Sequence, residues 1–284
     1  MGIAIENVTK RFGKTCALDG VSCAFGENRI YGLLGNNGAG KTTLLNLIAN
    51  RLYADEGTIT VDGEDVRDRN SALEKIFYIG EQNLYPEEMR VEKALRTTAA
   101  FYPAFDLEYA HTLAERFKLN TKKKITSLST GYASIFRLIT ALSTGAAYLL
   151  LDEPVLGLDA TNRDLFYRTL LERYTEKPAT IVLSTHLIGE VAALLSDVVI
   201  IHNGRILRCA EVETLLESGY SVTGPAGQVD AYASGRKVLS SSTVGGIRTV
   251  CIEGKMENSL PEGLEAGKLN LQDYFISLMK KSEE

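Results

Sequence analysis

The feature that most constrains this chain is a loop, Gly35-Asn36-Asn37-Gly38-Ala39-Gly40-Lys41-Thr42, set between an apolar run and a stretch of helical periodicity. Residues 29–34 are nearly all apolar, and Leu44, Leu45, Leu47 and Ile48 follow at the spacing of one helix face. The string fits G-x-x-x-x-G-K-[ST] in the strand–loop–helix setting that gives it meaning. Glycines let the main chain wrap so that successive N–H groups face one anion. The helix behind the loop turns its positive end to the same place. Lys41 adds a full charge for terminal phosphates, Thr42 a hydroxyl for Mg²⁺, and Thr43 stands beside it in the first helical turn.

A second apolar run, 148–151, ends in Asp152-Glu153-Pro154. Carboxylates at the carboxyl end of a parallel strand lie on the rim where ligands bind. In enzymes with such a phosphate loop, an Asp at this place holds the Mg²⁺ shell. Successive strand residues point to opposite faces, so Glu153 is aimed differently from Asp152 and is the candidate to polarise an attacking water. Alone, the pair would read equally well as a strand capped by solvated acids; the loop upstream decides between the two.

Around these anchors, residues 3–8 alternate as a strand, and 57–61 followed by Asp62-Gly63 reads as a strand and tight turn. From about residue 90 to 142 the pattern is helical. Strand-like runs return at 148–151, 180–184, 198–202 and 205–209, the first three separated by helices. That order implies a parallel sheet with right-handed crossovers, and continuous apolar runs imply cover on both faces. The fold class expected is α/β: a P-loop NTPase core with a mostly parallel sheet, a small N-terminal antiparallel β subdomain, a helical subdomain at about 84–145, and a small C-terminal α+β accessory domain. The texture changes near Ser218. Residues 219–246 are rich in Gly, Ser and Thr, then 248–252 reads as a strand and 271–279 as a helix. The boundaries expected are 1–217 and 218–284.

Composition narrows the surroundings. With 45% apolar residues, 24% charged residues and a net charge of −5, nothing marks the surface as a nucleic-acid or anionic-lipid binder. Cys16, Cys23, Cys209 and Cys251 form no C-x-x-C pair, so reduced thiols of a cytoplasmic chain are expected. No uncharged apolar segment reaches about 18 residues, and the opening MGIAIENVTKRFG has no leader-like apolar run. The expectation is a cytoplasmic chain without a span of its own. Lys122-Lys123-Lys124 reads as a solvated loop.

Further residues go beyond a generic phosphate loop. Leu128-Ser129-Thr130-Gly131-Tyr132 resembles the L-S-G-G-Q signature of ABC ATPases, Gly157-Leu158-Asp159 resembles their D-loop, and Ser184-Thr185-His186 their switch histidine. Phe12, before Gly13, resembles the aromatic that stacks on adenine, although packing in a small sheet would place a Phe there too. The family's Q-loop glutamine, aligned from Tyr78, falls on Glu81, with Gln82 next to it, and either side chain is in reach of a metal shell. The resemblance covers roughly residues 1–217 and implies binding and hydrolysis of ATP with Mg²⁺. Lys41, Glu153 and His186 would be catalytic, and Phe12, residues 35–43, Ser129, Gly131 and Asp159 would bind nucleotide. Thr42, Asp152 and Glu81 or Gln82 would serve the metal. It implies a second ATP-binding subunit, because each ATP would lie between the cradle of one chain and the signature of another. A transmembrane permease would be the further partner, placing the chain at the inner face of the cell membrane. Two departures stand out: Thr130 replaces a glycine and Tyr132 a glutamine. The 35–41 loop and the C-terminal extension look like those of bacterial drug- and antibiotic-peptide exporters. An importer ATPase shares the same core. A soluble ABC ATPase would show coiled-coil insertions or tandem cores, and neither is present.

Overall fold

The computed structural model describes the chain except residues 68, 81, 83, 84, 87, 257–259 and 284, and the side chains of 281–283. It packs as two compact units, Met1–His186 with Val199–Arg208, and Leu187–Val198 with Cys209–Glu284. Where the sequence reading divides the chain once, after residue 217, packing gathers the stretch 187–198 with the C-terminal residues.

The first unit opens with β1 (Gly2–Phe12) and β2 (Thr15–Gly26), an antiparallel pair whose Ile3, Ile5, Val8, Leu18, Val21 and Phe25 are buried. Next come β3 (Ile30–Leu34), buried at all five residues, the glycine-rich loop, and α1 (Lys41–Ile48). β4 (Glu56–Val61) and the short β5 (Glu64–Asp65) complete a four-stranded antiparallel sheet in the order β2-β1-β4-β5. This is the N-terminal β subdomain expected. α1 lies in one apolar cluster with both sheets, through Phe25, Leu33, Leu44, Leu45, Tyr148 and Val182. Each such side chain removed from water contributes about 2 kcal/mol.

After α2 (Asn70–Leu73) and β6 (Ile76–Ile79), the helical region comprises α3 (Val91–Phe101), α4 (Leu107–Arg116) and α5 (Thr130–Ser143). The side chain of Asp106 accepts the Tyr109 N–H at 2.9 Å and so caps α4. β7 (Tyr148–Asp152), α6 (Ala160–Glu176) and β8 (Thr180–Thr185) follow, and beyond α7 (Ile188–Val191) come β9 (Asp197–His202) and β10 (Arg205–Glu211). The central sheet runs β10-β9-β3-β8-β7-β6, with β3, β8, β7 and β6 mutually parallel. β3, β7 and β8 are buried along their whole length, which is why they read as unbroken apolar runs. The parallel arrangement brings the carboxyl ends of β3, β7 and β8 to one rim, and the functional side chains sit there.

The second unit adds α8 (Val212–Leu216), β11 (Gly219–Pro225), α9 (Ala226–Ala233), β12 (Val238–Val244), β13 (Ile247–Glu253), β14 (Glu265–Lys268) and α10 (Leu271–Glu283). Its sheet has the order β12-β13-β11-β14. The Gly/Ser/Thr-rich stretch 219–246 is thus a strand, a helix and a strand. Tyr220 and Val222 are buried while Ser221 and Thr223, alternating with them, are half-exposed, so small polar residues occupy only the outer positions of this strand. Val229 and Tyr232 of α9 cover that apolar face. No disulfide joins the four cysteines. Among the described residues, no helix is long and apolar enough to cross a membrane.

Candidate functional site

The loop between β3 and α1 is built by local backbone demands. Gly38 has φ 78° and Gly40 φ 112°, in the left-handed region where a side chain is strained. Gly40 is closed in as well: a Cβ there would lie 2.7 Å from Leu18 Cδ2 and 2.8 Å from the Ala17 carbonyl oxygen. α1 starts without a side-chain cap, so its first N–H groups are left for a ligand. Lys41 is buried, and its ammonium folds back to donate to the carbonyls of Gly35 at 2.8 Å and Asn36 at 3.3 Å. A cleft of about 400 Å³ lies over this loop, lined by Asn37 to Thr43 together with Ala17, Glu153, Leu156 and His186.

The two acids at the end of β7 reach this cleft in different ways. Asp152, last in the strand, is buried and accepts the Ser184 hydroxyl on Oδ1 at 2.8 Å. Glu153 leaves the strand with φ 45°, a left-handed conformation for a non-glycine residue, and its N–H donates to the Ser184 carbonyl at 3.0 Å. Such a backbone costs about 1–3 kcal/mol and persists only where the surroundings enforce it. It turns Glu153 off the strand and into the cleft: Oε2 lies 3.0 Å from His186 Nδ1, and Oε1 lies 3.7 Å from the Lys41 ammonium. Among the described residues, Oε1 is buried without a hydrogen-bond partner.

Beside the phosphate loop is a polar cleft of about 280 Å³ formed by Thr42, Asn46, Arg51, Tyr78, Gln82, Asp152 and Glu153. Arg51 donates to Gln82 Oε1 at 3.4 Å and stacks 4.9 Å above the Tyr78 ring. Burial, reinforced by the Asp152 carboxylate, pushes the Tyr78 phenol up to about 12.

Other residues singled out from the sequence lie elsewhere. Ser129 caps α5 by accepting the Tyr132 N–H at 3.4 Å, and Asp159 caps α6 by accepting the Asn162 N–H at 2.8 Å. That N–H holds the Asp159 carboxyl below its usual range. Ser129 and Thr130 are exposed, and neither they nor Gly131 nor Asp159 lines the clefts around Lys41. Gly131 is closed against its own chain, since a Cβ there would lie 2.8 Å from the Gly157 carbonyl oxygen. Phe12 is 48% exposed at the end of β1, with the Lys10 ammonium 5.4 Å over its ring, and does not serve the core. Glu81 lies outside the described residues.

A model of the ABC transporter family matches residues 18–156. The chain is 31% identical over 210 residues to the ABC transporter ATP-binding protein NatA of Bacillus subtilis, a match covering 71% of this chain and 85% of that protein. The chain belongs to the ABC transporter family. It is an ATP-binding, ATP-hydrolysing subunit of that family. A sulfate/thiosulfate import ATP-binding protein of Ralstonia nicotianae is 33% identical, over 72% of this chain and 58% of that protein. A Nod factor export ATP-binding protein of Burkholderia lata is 32% identical, over 76% of this chain and 73% of that protein. A solved nucleotide-free ATP-binding cassette from an ABC transporter superposes with a TM-score of 0.61 at 26% identity, covering 74% of this chain and 91% of that one.

The donors beside the phosphate loop of this ABC subunit suit a hard cation that shares its ligands with phosphate. They are the Thr42 hydroxyl, the Asp152 carboxylate and the Gln82 amide, with the unpartnered Glu153 oxygen nearby. Among the described residues there is no group of three or more His, Cys, Asp or Glu placed as a self-contained metal cage. Sequence reasoning did not reach Ala17, Asn46, Arg51 and Leu156, and it used Tyr78 only as the anchor of the Q-loop alignment. They belong to no motif string and meet the site only through the fold, although a polar Arg51 just after an apolar helix face is a signal in retrospect.

Proposed function

We propose that this subunit drives transport by closing on ATP with a second cassette and reopening after hydrolysis. Lys41 and the main-chain amides of 35–43 hold the phosphate tail. Thr42, Asp152 and Gln82 hold Mg²⁺, which neutralises charge on the phosphate oxygens when bound. Glu153 polarises the attacking water, and His186 positions Glu153 through its Nδ1 contact. The observation that carries this reading is the Glu153 carboxylate: one oxygen is engaged by His186, and the other is buried, 3.7 Å from Lys41 and without a hydrogen bond among the described residues. A carboxylate kept short of a hydrogen bond in a polar cleft is poised to accept a proton.

Exposure of Ser129, Thr130 and Tyr132 supports the second cassette, since the chain's own cradle lies apart from them. A membrane partner is supported by an apolar groove of about 530 Å³ in which Leu73, Phe77, Met89, Phe101 and Tyr102 take part, with Phe101 78% exposed. A groove of that size, with aromatic walls, suits a helical segment of a transmembrane permease, which would hold the subunit at the inner face of the cell membrane. Export is the direction proposed. What supports it is the look of the 35–41 loop and the C-terminal extension, which resemble those of bacterial exporters.

The test is recovery of the full chain from membranes with its partners, followed by reconstitution. A multi-span permease, with turnover of Mg-ATP that rises severalfold in its presence, is the expected result. Co-recovery of an extracytoplasmic solute-binding protein would overturn export. Turnover wholly indifferent to any membrane protein would overturn the transport reading.

A further inference from the structure

The wall of the metal-side cleft contains a residue to which the roles above give no task. Tyr78 lies on β6, paired in register with Leu150 of the adjacent parallel β7, two residues before Asp152. Its hydroxyl donates to Asp152 Oδ2 at 3.4 Å and accepts from Asn46 Nδ2 at 3.4 Å. Asp152 Oδ1 is taken by Ser184. A carboxylate rotates about its terminal torsion in a broad, soft well. Two donors from two neighbouring strands, one on each oxygen, remove that freedom and leave the remaining lone pairs for another ligand.

The fold makes room for this hydroxyl. A methyl group at Gly80 would overlap the Tyr78 hydroxyl and ring, so the glycine leaves the space into which the side chain curls. The Gly80 carbonyl is fixed in turn by Arg137 Nη1 at 2.8 Å. Arg51 covers the ring from the other side. Tyr78 and Arg51 also line the apolar groove, so Tyr78, with Arg51 over its ring, forms a partition between that groove and the metal-side cleft.

We propose that Tyr78 is a positioning residue for ATP hydrolysis, its hydroxyl fixing the Asp152 carboxylate in the rotation that Mg²⁺ requires. This rests on the reading of Asp152 as a residue that holds the cation. Partners of a metal-binding carboxylate commonly alter metal affinity about tenfold or more, and a contact as long as 3.4 Å belongs below that range, at about fivefold.

The experiment uses the full chain and calorimetric titration of ADP with and without Mg²⁺, beside the Mg²⁺ dependence of turnover. Tyr78→Phe keeps the ring and loses the hydroxyl. It should leave ADP binding without Mg²⁺ within about twofold of the parent, weaken the tightening by Mg²⁺ about fivefold, and raise half-saturating Mg²⁺ by the same factor, with a smaller change in kcat. Gly80→Ala keeps the hydroxyl and displaces it. It should reproduce the Mg²⁺ effect, and adding Tyr78→Phe to it should change little more. If Tyr78→Phe and Gly80→Ala both keep the parent's Mg²⁺ dependence while Asp152→Asn loses it, the proposal for Tyr78 fails and the reading of Asp152 stands. If Asp152→Asn itself retains the tightening by Mg²⁺, the reading beneath the proposal is what fails.

Discussion

Around Lys41 the ammonium and the Asp152 carboxylate are buried and are held by groups from other parts of the fold, whereas around Ser129 the side chains face solvent and the hydroxyl caps its own helix. Lys41 is 6% exposed and Asp152 8%, and their partners come from the phosphate loop and from β8. Tyr132, by contrast, is 40% exposed, and the Ser129 hydroxyl is engaged only in capping α5. Both regions nevertheless rest on close backbone packing. Gly35 is shut against the Ile201 carbonyl, and Gly131 against that of Gly157. The signature turn is therefore held to the loop that follows the catalytic strand of its own chain while presenting its outer side elsewhere. On the function proposed above, one region is a site complete within the chain and the other is half of a site shared with a second cassette. Substitutions in the first should be felt by a single chain, and those in the second only when two chains meet.

The sharpest test of that contrast is Lys41→Ala. Removing a charge-assisted phosphate contact of roughly 3 kcal/mol should weaken ATP binding about 100-fold, at any protein concentration. Calorimetry on the isolated chain reads this directly, and an unchanged affinity would move the phosphate site away from this loop. Next comes Glu153→Gln, with binding kept within about twofold and phosphate release slowed about 100- to 1000-fold. It should accumulate an ATP-bound dimer by size-exclusion chromatography. A variant that turns over like its parent would remove Glu153 from the chemistry.

The same contrast governs how much could be read from the chain alone. The cradle was legible because its demands are local: Gly38 and Gly40 sit where only glycine is comfortable, and Lys41 and Thr42 follow in fixed order. The acids were legible because an unbroken apolar run that stops at two carboxylates marks the carboxyl end of a covered strand. The wall of Asn46, Arg51 and Tyr78 was not, since Tyr78 meets the end of α1 and the turn after it only once β6 pairs with β7. For the Q-loop, Glu81 and Gln82 could not be separated by sequence; the fold places Gln82 against Arg51 beside the phosphate loop, and Glu81 lies outside the described residues. In the C-terminal sheet β13 was read, but β11 and β12 were hidden by composition, because their Ser and Thr resemble a loop until the buried Tyr220, Val222 and Leu239 are set against them.

On the exposed side, Ser129→Ala should leave ATP binding by the isolated chain within about twofold while lowering turnover of the paired cassettes about tenfold, since one hydroxyl donor to phosphate is lost. Loss of the α5 cap removes about 1 kcal/mol, a fall in Tm of about 2–4 °C for a unit of this size. Turnover against protein concentration separates the two effects, because a deficit due only to stability would not depend on pairing. If Ser129→Ala weakened nucleotide binding by the single chain as Lys41→Ala does, the signature would belong to the chain's own cradle and the division drawn above would collapse.

The smallest effect expected is the pH response of Asp159. Hydrogen bonding, chiefly by the Asn162 N–H, lowers its folded-state pKa, so its cap is fully present above the unfolded carboxyl value of about 3.9 and fades as pH falls through the lower folded value. Between pH 5 and 3, the Tm advantage of the parent over Asp159→Ala should shrink, whereas that of Asp159→Asn over Asp159→Ala should persist, because an amide caps without titrating. Asp159 is solvent-exposed, so the shift should be smaller than that from Ser129→Ala. Should the parent keep its advantage undiminished at pH 3, the carboxylate is not what holds the start of α6, and Asp159 would have to owe its place in the exposed half-site to a contact made by a second chain.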